Sequence, residues 1–146
     1  MSQFARFLSM LVLVLAAPTA QAQNKVPSDH VLEALVKSSL LSLNDANVTG
    51  DYSVLHAKLS KPFREQFSPD RLKETFREFA GKHVDYDIIA AYAPVYSKPA
   101  AVDDEGKLLV EGYFPTTPNR LKFKLDFIPS DGEWKLIGIK VDIDSP

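Results

Sequence analysis

Leu121-Lys122-Phe123-Lys124-Leu125-Asp126-Phe127 alternates an apolar with a charged residue at every step. A β-strand turns successive side chains to opposite faces, so this stretch reads as a strand with one oily and one ionic side. Its neighbours keep the same period. Leu108, Val110 and Phe114 before it, and Ile137, Ile139, Val141 and Ile143 after it, fall on the oily side. Glu111, Lys140 and Asp142 fall on the ionic side with Lys122, Lys124 and Asp126. Strands over about 107–114, 120–129 and 134–143 therefore make an antiparallel sheet with one face buried.

The apolar sets also imply a register. Burying both sides of the last hairpin together sets Phe127 opposite Ile137, Leu125 opposite Ile139 and Phe123 opposite Val141. That spacing asks for an odd loop, three residues around Gly132, with a bulge. The preceding hairpin then sets Val110 opposite Leu125, and Gly112 opposite Phe123, whose ring covers the missing side chain. On the outer face Glu111 meets Lys124 as an ion pair, while Lys124 also meets Lys140.

Upstream the period becomes helical. Leu32, Leu35, Val36, Ser39, Leu40 and Leu43 recur at three-and-four spacing behind Ser28 as N-cap and Asp29 in the first turn, predicting a helix from Asp29 to about Asn44. Asn44 to Gly50 reads as a polar turn. Asp51 is placed to cap a second helix carrying Tyr52, Leu55 and Leu59, stopped or kinked by Pro62. Ser68-Pro69-Asp70 opens a third, with Leu72, Phe76 and Phe79 buried and Gly81 just past its end. Val84, Tyr86 and Ile88 then alternate with His83, Asp85 and Asp87 as a short strand. Pro94 and Pro99 confine Tyr92 to Val102 to a sheet edge or bulge, and Asp103-Asp104-Glu105-Gly106 is a turn. The class is α+β: three N-terminal helices packed on a curved antiparallel sheet.

Residues 1–22 read as a signal peptide, with the single basic Arg6, a short apolar run from Phe7 to Ala17 and the small-x-small pattern Ala20-Gln21-Ala22. Cleavage after Ala22 leaves residues 23–146, 124 residues forming one domain, in the periplasm or outside the cell. No later stretch is apolar for long enough to span a bilayer. Arg6 is the only charge in the tag, so 16 basic residues face 19 acidic ones, a net charge of −3 that argues against a nucleic-acid partner. There is no cysteine, so an exported fold must be held by its core without disulfides.

The order of elements resembles the NTF2-like family, in which a sheet wraps helices into a cone. Leu43-Asn44-Asp45-Ala46-Asn47-Val48-Thr49-Gly50-Asp51-Tyr52 is similar to its first interhelical junction. Phe63-Arg64-Glu65-Gln66-Phe67-Ser68-Pro69-Asp70-Arg71-Leu72 and Gly132-Glu133-Trp134-Lys135-Leu136-Ile137-Gly138-Ile139 resemble the third helix and the last strand of its exported bacterial members. The resemblance implies a cone interior that in enzymes holds an Asp or His base beside a Tyr or Asp donor, and elsewhere holds a ligand or is filled. It also implies a homodimer through the outer sheet face.

The chemistry available to such a site is sparse. His56 suits a general base near neutral pH, but no acid is placed to orient it. Tyr52, His56, Tyr86, Tyr92 and Tyr113 are the polar-tipped residues that could meet a ligand, with Tyr113 facing outward in the register above. His83, Asp85 and Asp87 share ligand chemistry, but strand spacing sets successive members about 7 Å apart, too far for one ion, so no metal is expected. No cofactor-binding motif is present, and neither is a Gly-x-Ser-x-Gly elbow or a phosphate-cradling loop. Lys107, Lys122, Lys124, Lys135 and Lys140 could form an anion-binding face, yet Glu111, Asp126 and Asp142 interleave with them, so a mixed soluble surface is expected. The leading expectation is a non-enzymatic domain for an apolar or amphipathic small molecule or a protein partner. The alternative is an isomerase, dehydratase or hydrolase with His56 as base.

Overall fold

The computed structural model describes residues 25–144, and the expected signal peptide of residues 1–22 lies outside them. α1 (Asp29–Thr49) buries Leu32, Val36, Ser39, Leu40 and Leu43 of the stripe read from the sequence and leaves Leu35 half-buried. Each buried leucine contributes about 1.5–3 kcal/mol relative to exposure. The helix does not stop near Asn44. Asn44 and Ala46 are buried along the same stripe, and the end comes where Gly50 turns left-handed (φ 74°) and donates its N–H to the Ala46 carbonyl at 2.8 Å.

α2 (Ser53–Lys58) begins after Tyr52, and Asp51 Oδ1 accepts the Ser53 N–H at 3.0 Å. Pro62 does not end it. Leu59 becomes extended and forms a parallel bridge with Leu136, and the Ser60 N–H donates to the Leu136 carbonyl at 2.9 Å. Pro62 instead sits in the first turn of α3 (Lys61–Gln66), where a missing N–H costs nothing. α4 (Pro69–Thr75) starts as read, with Ser68 Oγ accepting the Arg71 N–H at 3.2 Å. It breaks at Phe76, and α5 (Arg77–Ala80) follows, so five α-helices stand where three were expected. At the break Phe76 stacks on Tyr52 and Phe79 meets Tyr86 edge-on, with centroids 6.4 and 6.2 Å apart.

The strand expected over Val84 to Ile88 does not form. His83 is left-handed (φ 51°) and Asp87–Ala91 is a 3-10 helix. The cause is Asn44 on α1. Its Oδ1 accepts the Tyr86 N–H at 3.0 Å, and its Nδ2 donates to Asp85 Oδ1 and Asp87 Oδ1, both at 2.8 Å. Side-chain bonds of this kind offer a backbone an alternative to a ladder. Tyr86 is buried as the alternation implied, whereas Ile88 is exposed.

β1 (Val95–Tyr96) and β2 (Ala101–Val102) pair in turn with one edge of β3 (Leu108–Phe114), as the prolines suggested. β4 (Arg120–Ser130) and β5 (Glu133–Asp144) complete an antiparallel sheet. Val110↔Leu125, Gly112↔Phe123, Glu111↔Lys124, Leu125↔Ile139 and Phe123↔Val141 pair as expected. Two details differ. Phe127 pairs with Leu136, not Ile137, because the bulge lies within the strands, and the loop has two residues, Asp131 and Gly132 (φ 54° and 79°). Gly112 is required by β1 rather than by Phe123, since a Cβ there would stand 2.1 Å from the Val95 carbonyl oxygen.

The inner face of β3 and β4 and the stripe of α1 meet in one contiguous core with Leu55, Leu59, Leu72, Ile89 and Leu136. Phe114, Phe127, Leu40, Leu43, Leu108 and Leu125 are all fully buried there. No helix among the described residues is long and apolar enough to cross a membrane.

Candidate functional site

The five polar-tipped residues do not converge. Tyr52 is buried, and its hydroxyl donates to Asn47 Oδ1. Burial pushes that hydroxyl's pKa up. The Tyr86 ring is buried too, and its hydroxyl has no hydrogen-bond partner among the described residues. Burial first, and then the neighbouring Tyr52, pushes it far above the ordinary tyrosine value, so it stays protonated. Tyr92 is half-buried against the core. Tyr113 faces outward as expected, opposite Lys122 and with the Arg120 guanidinium 5.0 Å from its ring centroid.

His56 is half-buried on α2, and its Nε2 lies 3.2 Å from the Arg64 carbonyl oxygen. A carbonyl only accepts, so Nε2 carries the hydrogen and is spent on tying α2 to α3. No carboxylate forms a hydrogen bond or ion pair with the ring among the described residues. Asp85 and Asp87 converge on Asn44, and no group of three or more potential metal ligands gathers among the described residues.

Several shallow hollows open at the surface. One, about 350 Å³, lies between α1 and the β4–β5 turn and is lined by Leu35, Ala57, Lys58, Phe127 and Trp134, among others. Lys58 Nζ donates to Ser42 Oγ at 2.7 Å at its edge. A second, about 310 Å³, lies beside Tyr52 and takes Asn47, Asp70, Lys73 and Arg77. Tyr86 lines a smaller one of about 120 Å³ with the Thr116–Asn119 loop. A fourth, about 240 Å³, lies on the outer face of the sheet, edged by Glu111, Lys122, Lys124, Lys140 and Asp142.

That outer face is less balanced than its sequence. Lys107 pairs with Glu105 and Lys135 with Asp131, at 3.1 and 3.3 Å. The acids nearest the central lysines are engaged from outside the three long strands: Lys98 reaches Glu111 at 3.4 Å and Lys82 reaches Asp142 at 3.8 Å. Lys122, Lys124 and Lys140 make no ion pair or side-chain hydrogen bond among the described residues. Lys82 and Lys98, like Trp134, formed no part of the expected site. They sit in irregular segments, where alternation carries no signal, and only the pairing of β1 with β3 brings Lys98 to Glu111.

No family model matches this chain, and neither does any curated protein or solved structure.

Proposed function

We propose that this is a non-enzymatic binding domain that engages a protein partner through its surface. The filled interior carries the reading. The space between α1 and the sheet is occupied by Leu40, Leu43, Leu108, Phe114, Leu125 and Phe127, none more than 1 % exposed. A cone open to a ligand or substrate would need polar groups aimed into a hollow there. The NTF2-like arrangement and export to the periplasm or cell exterior belong to the same proposal. They rest on the element order and on Met1 to Ala22. His56 supports the enzyme alternative poorly, because its one assigned hydrogen bond is to main chain.

The test is uptake of the apolar dye anilinonaphthalene sulfonate by the folded protein at neutral pH. A filled interior leaves dye fluorescence at the buffer level until acid loosens the chain into a compact, partly folded state. Saturable binding to the native state would overturn the reading. A small amphipathic ligand is the second reading, favoured by the hollow beside Trp134. This is the chain's one tryptophan, so a ligand there would shift its emission directly.

A further inference from the structure

We infer that the outer face of β3, β4 and β5 docks an extended, acidic segment of a protein partner, whose carboxylates seat on Lys122, Lys124 and Lys140. This rests on the surface-binding reading and adds the place and chemistry of the contact. Register carries it first. Lys124 stands directly opposite Lys140, and Lys122 lies two residues along the same strand on the same face. Like charges directly across a ladder destabilise it. Glu111 and Asp142 stand opposite Lys124 and Lys122, where they could relieve that repulsion, but each is held by another lysine, Lys98 or Lys82. The hollow itself is lined by three lysines and two carboxylates, and both carboxylates are drawn to lysines beyond it. Asp126, two residues beyond Lys124 on the same face, does not line the hollow. A chain whose described residues carry net negative charge thus concentrates unmatched positive charge at one hollow.

The spacing selects the occupant. Lys122 and Lys124 repeat at strand period, about 7 Å apart, which is also the separation of acidic side chains at alternate positions of an extended peptide. A field of this sign steers an acidic partner and repels a basic one. A second copy of this chain presenting the same face would set lysines against lysines. A duplex nucleic acid would want basic charge spread over a wider surface than one hollow.

The probe is a short labelled peptide alternating Glu with Thr, with its Gln-Thr counterpart as control, titrated into the full chain by fluorescence anisotropy. Wild type should bind the Glu peptide at low ionic strength, lose it as salt rises, and ignore the Gln peptide. Lys122→Glu, Lys124→Glu and Lys140→Glu together should weaken binding at least about tenfold. Lys37→Glu, Lys61→Glu and Lys73→Glu together, with the same net charge, should leave it unchanged. Lys140→Glu alone replaces the like pair with an opposite one, so it should melt no lower than wild type while losing part of the affinity. It serves if the triple variant fails to fold. Equal affinity in wild type and the strand-lysine variants would overturn the inference, and loss only in the control variant would move the contact while sparing the surface reading. Tighter binding of single-stranded DNA or anionic vesicles than of the Glu peptide would overturn the partner class. A wild-type dimer that the strand-lysine variants dissolve would assign the face to a second copy instead. Native dye uptake with lysine-dependent peptide binding would break the surface-only reading alone.

Discussion

Asn44 shows how one side chain redirects a segment. Its alternating surroundings, Val84, Tyr86 and Ile88 against His83, Asp85 and Asp87, read as a strand, yet three hydrogen bonds from a single buried amide hold Asp85 to Asp87 on α1. Asn44→Ala leaves the Tyr86 N–H buried without that acceptor and should cost about 1–3 kcal/mol in urea denaturation. A loss within error of zero would mean that apolar contacts alone fix the segment. The same substitution changes acid sensitivity. The Asn44 amide first, and the Asp87 N–H second, hold the Asp85 carboxyl below its ordinary value. A depressed native pKa contributes stability that is present above the ordinary carboxylate value, near 4, and is lost as pH falls through the lower native value. Wild type should therefore lose stability more steeply below about pH 4 than Asn44→Ala does, measured as unfolding free energy against pH.

Among the elements, the β4–β5 hairpin separates what alternation can and cannot read. Every inward residue from Leu121 to Phe127 was legible, because period two holds until something inserts a residue. The apolar spacing calls for the insertion but puts it in the loop. Asp131-Gly132 is itself a two-residue turn sequence, since both positions take positive φ there and glycine does so at no steric cost. The unpaired residue therefore had to fall within β5, which turns Leu136 into the core and leaves Ile137 half-buried. Leu136→Ala should cost about 2–5 kcal/mol and Ile137→Ala clearly less, by chemical denaturation. The reverse order would restore the three-residue loop. The helix ends are not legible in the sequence for a related reason: Pro62 and Phe76 are punctuation whose meaning depends on what the flanking chain touches.

Stability across the whole molecule should be uneven. α1 and β4 each place four or more side chains in the core and β3 places three, whereas α3 and α5 bury none completely. Native-state amide exchange should find the ladder amides of β4 slowest, exchanging through global unfolding. The Phe67 and Gly81 amides, bonded at the ends of α3 and α5, should exchange far faster through local opening. Uniform protection would show that these helices unfold only with the core. The candidate site belongs to this scale too. Tyr52, His56, Tyr86, Tyr92 and Tyr113 have tips that could meet a ligand, and the fold scatters them, two into the core, one half-buried against it, one into a main-chain tie and one onto the outer face.

The sequence alone determined the α+β class, the greasy side of the sheet, the pairing of β3 with β4 and the stripe of α1. These are local periodicities, repeated side-chain choices that any regular backbone must turn to one face. Only the tertiary structure decided where the bulge falls, that a buried amide replaces a strand, and that Lys98 and Lys82 draw Glu111 and Asp142 away from the central lysines. Those outcomes depend on which distant groups arrive within a few ångströms of one another, and hydrogen bonds and ion pairs at that range are set by packing rather than by spacing along the chain.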